Sequence, residues 1–473
     1  MVFSSSVFLF LFLPAVWILN FLIPKKFLIL RNALLAAASL LFYAFGEPFY
    51  IILMLGSILF NYIAARVIPR LSEGGKSFLC VITVIANLGM LGVFKYSPWL
   101  CSLLNGIPGV DIPVPQITIP VGISFYTFQI LSYVIDVRKG KIPPQKNFMN
   151  LLLYIAFFPQ LIAGPIVKYR DIEEQLACRE MTAEKCAHGI RRFVMGLAKK
   201  LIISNTAALI ADAAFGSLGN GGISSLFAWS GAVCYCIQLY FDFSGYSDMA
   251  IGLAEMFGFT ICENFNYPYT AVSIRDFWKR WHISLTTWFR EYVYFALGGN
   301  RCGKVRTVLN RVFVFFLTGL WHGANFTFVV WGLWHGFLMM FEQLVSFEKI
   351  SGNKYLRLPA RIYTLLAVCL GFVVFRAPNM TFAWQYICRM FSFSGNGADA
   401  LVHFSPYVIL ILALGVILSA PVFPTLRQKL GRGSEQTAGV FCAVGSVGTL
   451  LLLILCIMQL ASSTFNPFIY YHF

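Results

Sequence analysis

Stretches close to twenty apolar residues recur about a dozen times along this chain, each long enough to cross a hydrocarbon core of roughly 30 Å as a helix. No single buried core absorbs that many. Open sheet edges and irregular backbone leave polar groups unsatisfied in lipid, so the sequence predicts an all-α, multi-pass membrane protein. Composition agrees: 58% of the 473 residues are hydrophobic and 12% are charged, where a soluble domain carries about a quarter charged. A soluble protein with one greasy half is excluded, because no long polar segment exists to form the other half.

The first run, Val7 to Ile23, lacks the basic start and small-residue cleavage site of a secretory leader. Lys25 and Lys26 follow it, which predicts a retained first span with the N-terminus outside. Basic loops then set the topology if each is cytoplasmic: Lys25 to Arg31, Arg66 to Lys76, Arg138 to Lys146, Lys168 to Lys200, Arg275 to Arg311, Lys349 to Arg361 and Arg427 to Arg432. The intervening loops Asn105 to Pro115, Gly216 to Ser225 and Phe393 to His403 carry no Lys or Arg. This alternation predicts about 11 to 12 spans, plus re-entrant and surface helices.

The net charge of +16 is split among these loops, so positive-inside bias explains it better than nucleic-acid binding. A basic cytoplasmic face also attracts anionic lipid heads or a polyphosphate donor. Most of the twelve cysteines, such as Cys80, Cys234, Cys369, Cys442 and Cys456, lie inside apolar runs and act as small hydrophobes. Cys234 and Cys236 have no second pair at metal spacing, so neither a metal site nor a disulfide framework is indicated.

Two stretches break the alternation. Leu151 to Pro165 has basic flanks on both sides and contains Phe158-Pro159-Gln160 and Ala163-Gly164-Pro165, which predicts a re-entrant or broken segment buried in protein. Val312 to Val345 is interrupted by Trp321-His322-Gly323-Ala324-Asn325 and reads as two helices meeting at a short polar break. In Arg275 to Leu297, by contrast, Trp278, Trp281, Leu285, Trp288 and Tyr292 recur at helical steps with Lys279, Arg280 and Arg290 off that face. One amphipathic helix is predicted there, along the cytoplasmic surface or beneath the bundle. Without internal repeats or long linkers, 1–473 reads as a single membrane domain.

The six histidines are informative because they are few. His322 sits at the polar break, where an ionisable group at membrane depth marks a reactive site or pathway, or is a core imidazole bonded to a carbonyl. Imidazole is also the usual base toward a hydroxyl nucleophile. His282, in Arg280-Trp281-His282-Ile283-Ser284, lies one turn from Trp278 and Leu285, and on spacing alone it reads as packed. His335 is thirteen residues past His322, roughly 220° around a helix, so it reads as structural and no third ligand suggests a metal. Asp242 and Asp248, in Tyr240 to Asp248, are roughly 240° apart and read as ion-pair anchors for the following basic helix, or as substrate contacts. Glu263 to Pro268 and Leu297-Gly298-Gly299-Asn300-Arg301 read as ordered turns, the second a weak candidate for cradling phosphate. Ser124, Tyr126 and Gln129 place polar atoms within a span, where such groups usually bond to a neighbouring helix.

Together these blocks resemble the membrane-bound O-acyltransferase family, and most its bacterial alginate O-acetyltransferase branch. The resemblance runs from Met1-Val2-Phe3-Ser4-Ser5 and Leu41 to Pro48 to the closing Asn466 to Tyr471, and is strongest in Phe158 to Pro165, Tyr240 to Asp248, Phe277 to Tyr294 and Leu320-Trp321-His322-Gly323. It implies a helical ring around a central tunnel in a bacterial plasma (inner) membrane, with a catalytic core at about 118–345 and accessory spans at about 362–462. It implies that His322 is catalytic and His282 the second functional position, with Trp321, Asn325, Asp242, Asp248, Tyr240, Trp281, Ser284 and Gln160 lining or supporting the tunnel. Lys279, Arg280, Arg290 and Arg301 would form the face that attracts the donor. No bound cofactor is implied; the donor is acetyl-coenzyme A or another acyl thioester, and the acceptor a polysaccharide outside the membrane, reached through an SGNH-hydrolase-like partner. An acyl carrier protein as donor, as in D-alanyl transfer to teichoic acid, is the nearest alternative. A proton-coupled transporter using Asp242, Asp248 and His322 is the alternative of another class, disfavoured by the absence of an inverted repeat.

Overall fold

Among the described residues of the computed structural model, seven helices are long and apolar enough to cross a bilayer: Leu28–Gly46, Tyr50–Arg70, Glu73–Leu104, Ala183–Ser217, Ser225–Met256, Arg357–Arg376 and Ala443–Ser462. The structure describes residues 1–218, 222–393, 395–422, 424–425 and 435–462, with 435–442 described by backbone alone; the basic loop Arg427 to Arg432 and the closing Asn466 to Tyr471 lie outside them. Phe8–Leu22 and Pro406–Leu418 are shorter apolar helices. Every regular element among the described residues is helical, so the protein is an all-α polytopic membrane protein.

The count is below the eleven or twelve expected, and the reasons are local. Ile123–Arg138 has 16 residues and buries nearly all of them, so it is a core helix rather than a lipid-facing span. Phe148–Ala156 ends after nine residues, and Lys304–His322 carries Lys304, Arg306 and Arg311 within its own length. The stretch Lys168 to Lys200, expected as a loop, is instead helical over Tyr169–Ala177 and from Ala183 onward into the span that ends at Ser217.

The chain divides into two compact units, one of Met1–Phe193 with Ser247–Cys262 and the other of Val194–Tyr246 with the described part of Glu263–Ile469. In the first, the predicted broken segment is present. Phe148–Ala156 stops at Phe157, a four-residue helix Phe158–Leu161 follows, and everything from Leu151 to Tyr169 is buried. The backbone groups freed by the break find partners: Phe158 N–H donates to Ser39 Oγ at 3.1 Å, Gln160 Nε2 donates to the Tyr154 carbonyl, and the Tyr154 hydroxyl donates to Val167 O at 2.9 Å. Phe158 is seated against Phe12 and Phe42, at ring separations of 5.4 and 5.6 Å. Gly122, at φ 76°, starts the neighbouring helix so close that a Cβ there would lie 2.7 Å from Leu161 O. Asp248 is held in this unit by Arg192 at 3.0 Å.

In the second unit, Lys304–His322 and Phe326–Leu344 form an antiparallel hairpin whose turn is the predicted polar break. Glycines permit the close crossing: a Cβ on Gly319 would lie 2.3 Å from Phe328 O, and one on Gly332 would lie 2.3 Å from Phe315 O. Arg357–Arg376 packs on this hairpin, where Trp334 Nε1 donates to Ala367 O at 2.9 Å. Gly332→Ala should therefore cost about 1–3 kcal/mol by overpacking, seen as a lower Tm of the purified protein. Gly89→Ala, where nothing lies within 4 Å of the new methyl, should leave Tm unchanged.

Candidate active site

The segment Arg275 to Leu297 is not the single helix that its periodicity suggests. Ile274–Trp278 is one short helix, Ile283–Phe289 another, and His282 between them takes a left-handed conformation at φ 45°, ψ 53°. The cause is Asn264, which is fully buried. Its carbonyl accepts Ile283 N–H at 2.9 Å, and its side-chain oxygen accepts Ser284 N–H at 3.2 Å and Ser284 Oγ–H at 2.9 Å. These bonds cap the second helix from outside and force the chain to turn at His282. A non-glycine residue in this region costs about 1–3 kcal/mol, and such strain collects at functional sites. The aromatic face survives the break, for Trp278, Trp281, Leu285, Trp288 and Tyr292 are all buried.

The same asparagine sets the chemistry of His282. Ser284 N–H can only donate, so the Asn264 atom facing it is the oxygen; His282 Nδ1, 3.2 Å from that oxygen, must then carry the proton. Nε2 is left with its lone pair, buried and without a hydrogen-bond partner among the described residues. Burial pushes the imidazole down to about 3, so it is neutral. Phe243 meets the ring edge-on at 4.7 Å and Trp321 lies 6.0 Å away.

His322 is the last residue of its helix and 2% exposed. Three rings enclose it: Trp321 at 5.0 Å, Trp331 at 5.0 Å and Phe375 at 5.2 Å. Trp321 thus borders both histidines. Asn325 holds the break open in a defined shape, its Oδ1 accepting Thr327 N–H at 3.1 Å to cap the next helix while its Nδ2 donates to Pro378 O at 2.9 Å. His335 is packed among Phe277, Trp278 and Trp331, with Trp331 standing 5.2 Å from it and between it and His322. No cluster of three metal-ligating side chains occurs among the described residues.

Of the other candidates, Tyr240, Trp281 and Ser284 gather with His282. Tyr240 lies 6.2 Å from Trp281 and 5.9 Å from Phe265, which itself meets Trp281 at 5.1 Å. Asp242 forms a buried ion pair with Lys200 at 2.5 Å. Both Asp242 and Asp248 pair with a cation from the segment before them, Lys200 and Arg192 respectively. Gln160 and Asp248 belong to the other compact unit. Lys279, Arg290 and Arg301 are exposed, whereas Arg280 is tied to Asp276 at 2.9 Å. The glycine turn does not cradle an anion: Gly298, Gly299 and Arg301 donate their N–H groups to Phe295, Tyr294 and Gly298 carbonyls. Sequence reasoning missed Asn264, Trp331 and Phe375. Only Asn264 left a signal, in the turn composition of Glu263 to Pro268.

Residues 136–348, which hold both histidines, match the membrane-bound O-acyltransferase family. A probable alginate O-acetylase AlgI of Azotobacter vinelandii is 38% identical over 507 aligned positions, covering 100% of both chains. The corresponding protein of Pseudomonas aeruginosa is 43% identical over 83% of this chain and 75% of its own. A peptidoglycan O-acetyltransferase of Helicobacter pylori is 34% identical over 84% of this chain and 80% of its own. A helical membrane scaffold, two buried histidines beside one tryptophan, and relatives of this kind along the whole chain lead to one conclusion: the protein belongs to the membrane-bound O-acyltransferase family and is an O-acyltransferase.

Proposed function

We propose that the protein takes an acyl group, most simply acetyl, from a cytoplasmic thioester and passes it to a hydroxyl destined for a glycan outside the membrane. The observation that carries this reading is His322, a buried imidazole at a break between two apolar helices, within one tryptophan's width of a second buried histidine. The named activities of its relatives, acetylation of alginate and of peptidoglycan, share a sugar hydroxyl as acceptor and leave the glycan itself open.

In the proposed reaction, His322 accepts the proton of the acceptor hydroxyl as its oxygen attacks the thioester carbonyl. The tetrahedral intermediate collapses with cleavage of the carbon–sulfur bond, and the thiolate leaves with the proton that His322 took up. His282, neutral and held by Asn264 with Nε2 unprotonated, orients the reacting hydroxyl or the donor. The donor approaches the basic side of Lys279, Arg280, Arg290 and Arg301, which positive-inside bias assigns to the cytoplasm, and the N-terminus lies outside an inner membrane. A separate extracytoplasmic protein of the SGNH-hydrolase type finishes transfer to polysaccharide.

Three outcomes test this. His322→Ala should lower acyl transfer by about 10²–10⁴-fold in protein that still inserts and purifies as a monodisperse species; normal transfer would refute the base assignment. Asn264→Ala should lower kcat about tenfold or more with little change in KM for the donor, since it frees the His282 tautomer rather than removing a binding contact. Purified protein should transfer label to a hydroxyl acceptor from radioactive acetyl-coenzyme A and not from a charged acyl carrier protein.

A further inference from the structure

The second unit contains a recess that neither histidine lines. A cavity of about 340 Å³ lies between the Ile283–Tyr294 segment and the Lys304–His322 helix, walled by Trp278, Leu285, Phe289, Val314 and Phe315. That volume suits a bound small molecule. Three arginines, Arg275, Arg290 and Arg311, reach its lining, and no acidic side chain does. Arg275 is paired outward with Glu348, and Arg311 is steadied by Gln343 at 2.5 Å. Arg290 is exposed, and its guanidinium makes no hydrogen bond or ion pair among the described residues.

The surroundings of the cavity identify the direction from which a ligand arrives. Phe295 belongs to the lining yet is 58% exposed. On the adjacent helix Val305, Leu309 and Phe313 follow one another at single-turn spacing and are 75%, 58% and 45% exposed, an apolar ridge suited to hydrocarbon rather than water. A ligand drawn from that side must be apolar toward the walls and anionic toward the rim.

We propose that this cavity binds one anionic phospholipid of the cytoplasmic leaflet, its phosphodiester on Arg290 and Arg311 and part of one acyl chain against Trp278, Phe289 and Val314. Basic pockets between helices on the cytoplasmic side are suited to such head groups. A coenzyme A thioester would satisfy the arginines equally, but its amide-bearing arm meets mostly apolar wall, and it arrives from water.

The test needs no acyl donor, so it stays readable whether or not the transfer reaction proposed above is correct. Full-length protein in mild detergent is equilibrated with equal amounts of phosphatidylglycerol and phosphatidylcholine, and retained lipid is counted by native mass spectrometry. The expected result is one phosphatidylglycerol per chain in preference to phosphatidylcholine. Arg290→Gln with Arg311→Gln should weaken retention roughly thirtyfold, and Val314→Trp, which fills the chamber without altering charge, should abolish it. Arg301→Gln, outside the lining, should retain the lipid. Equal retention of the two lipids, unchanged retention in the double glutamine variant, or displacement of the lipid by coenzyme A would each overturn the proposal, the last by assigning the cavity to the thioester.

Discussion

In a bilayer there is no water to receive the N–H and C=O groups exposed where a helix stops, so every interruption must bring its own partners. The interesting parts of this protein are its interruptions. At Phe157 the partner is the Ser39 hydroxyl, at His282 it is the Asn264 amide and carbonyl, and after His322 it is the Asn325 side chain. Each is a small polar side chain placed opposite a break, and each fixes the direction in which the chain resumes. His282 and His322 lie at two of these places, each buried where one helix ends and the next begins.

Charge follows a related economy. Two cation–anion contacts, the buried Lys200 with Asp242 and the half-buried Arg192 with Asp248, each join the Ala183–Ser217 and Ser225–Met256 helices. Removing one partner leaves the other desolvated, which costs more than the pair itself contributes. Both pairs sit beside close glycine approaches: Gly189 to Gly252 near Arg192, and Gly196 to Gly245 near Lys200. Short interhelical distance and ion pairing reinforce each other there.

Much of this was legible in the residues. Long apolar runs required helices, the Phe158-Pro159-Gln160 and His322-Gly323-Ala324-Asn325 interruptions predicted broken backbone, and both were found where expected. Periodicity failed at Arg275 to Leu297 because it records which side chains are buried and not whether the backbone between them is continuous; the aromatic face is real, but a left-handed residue divides it. The partner responsible, Asn264, lies 18 residues away from His282 in sequence, and no local pattern announces such a bond. Fewer helices of spanning length than apolar runs are found among the described residues, for a related reason. An apolar run states that a segment avoids water, and Ile123–Arg138 avoids water by lying inside protein.

The three rings around His322 bear on a competition that any acyl-transferring centre faces. A thioester carbonyl is open to attack by water as well as by a sugar, and water is far more abundant. Trp321, Trp331 and Phe375 surround the imidazole mostly with ring carbon, the two indole N–H groups being the polar points on that wall. Under the role proposed for His322, an enclosure of this kind favours the nucleophile that brings its own binding energy, and the aromatic walls would guard the activated acyl group against wasteful hydrolysis.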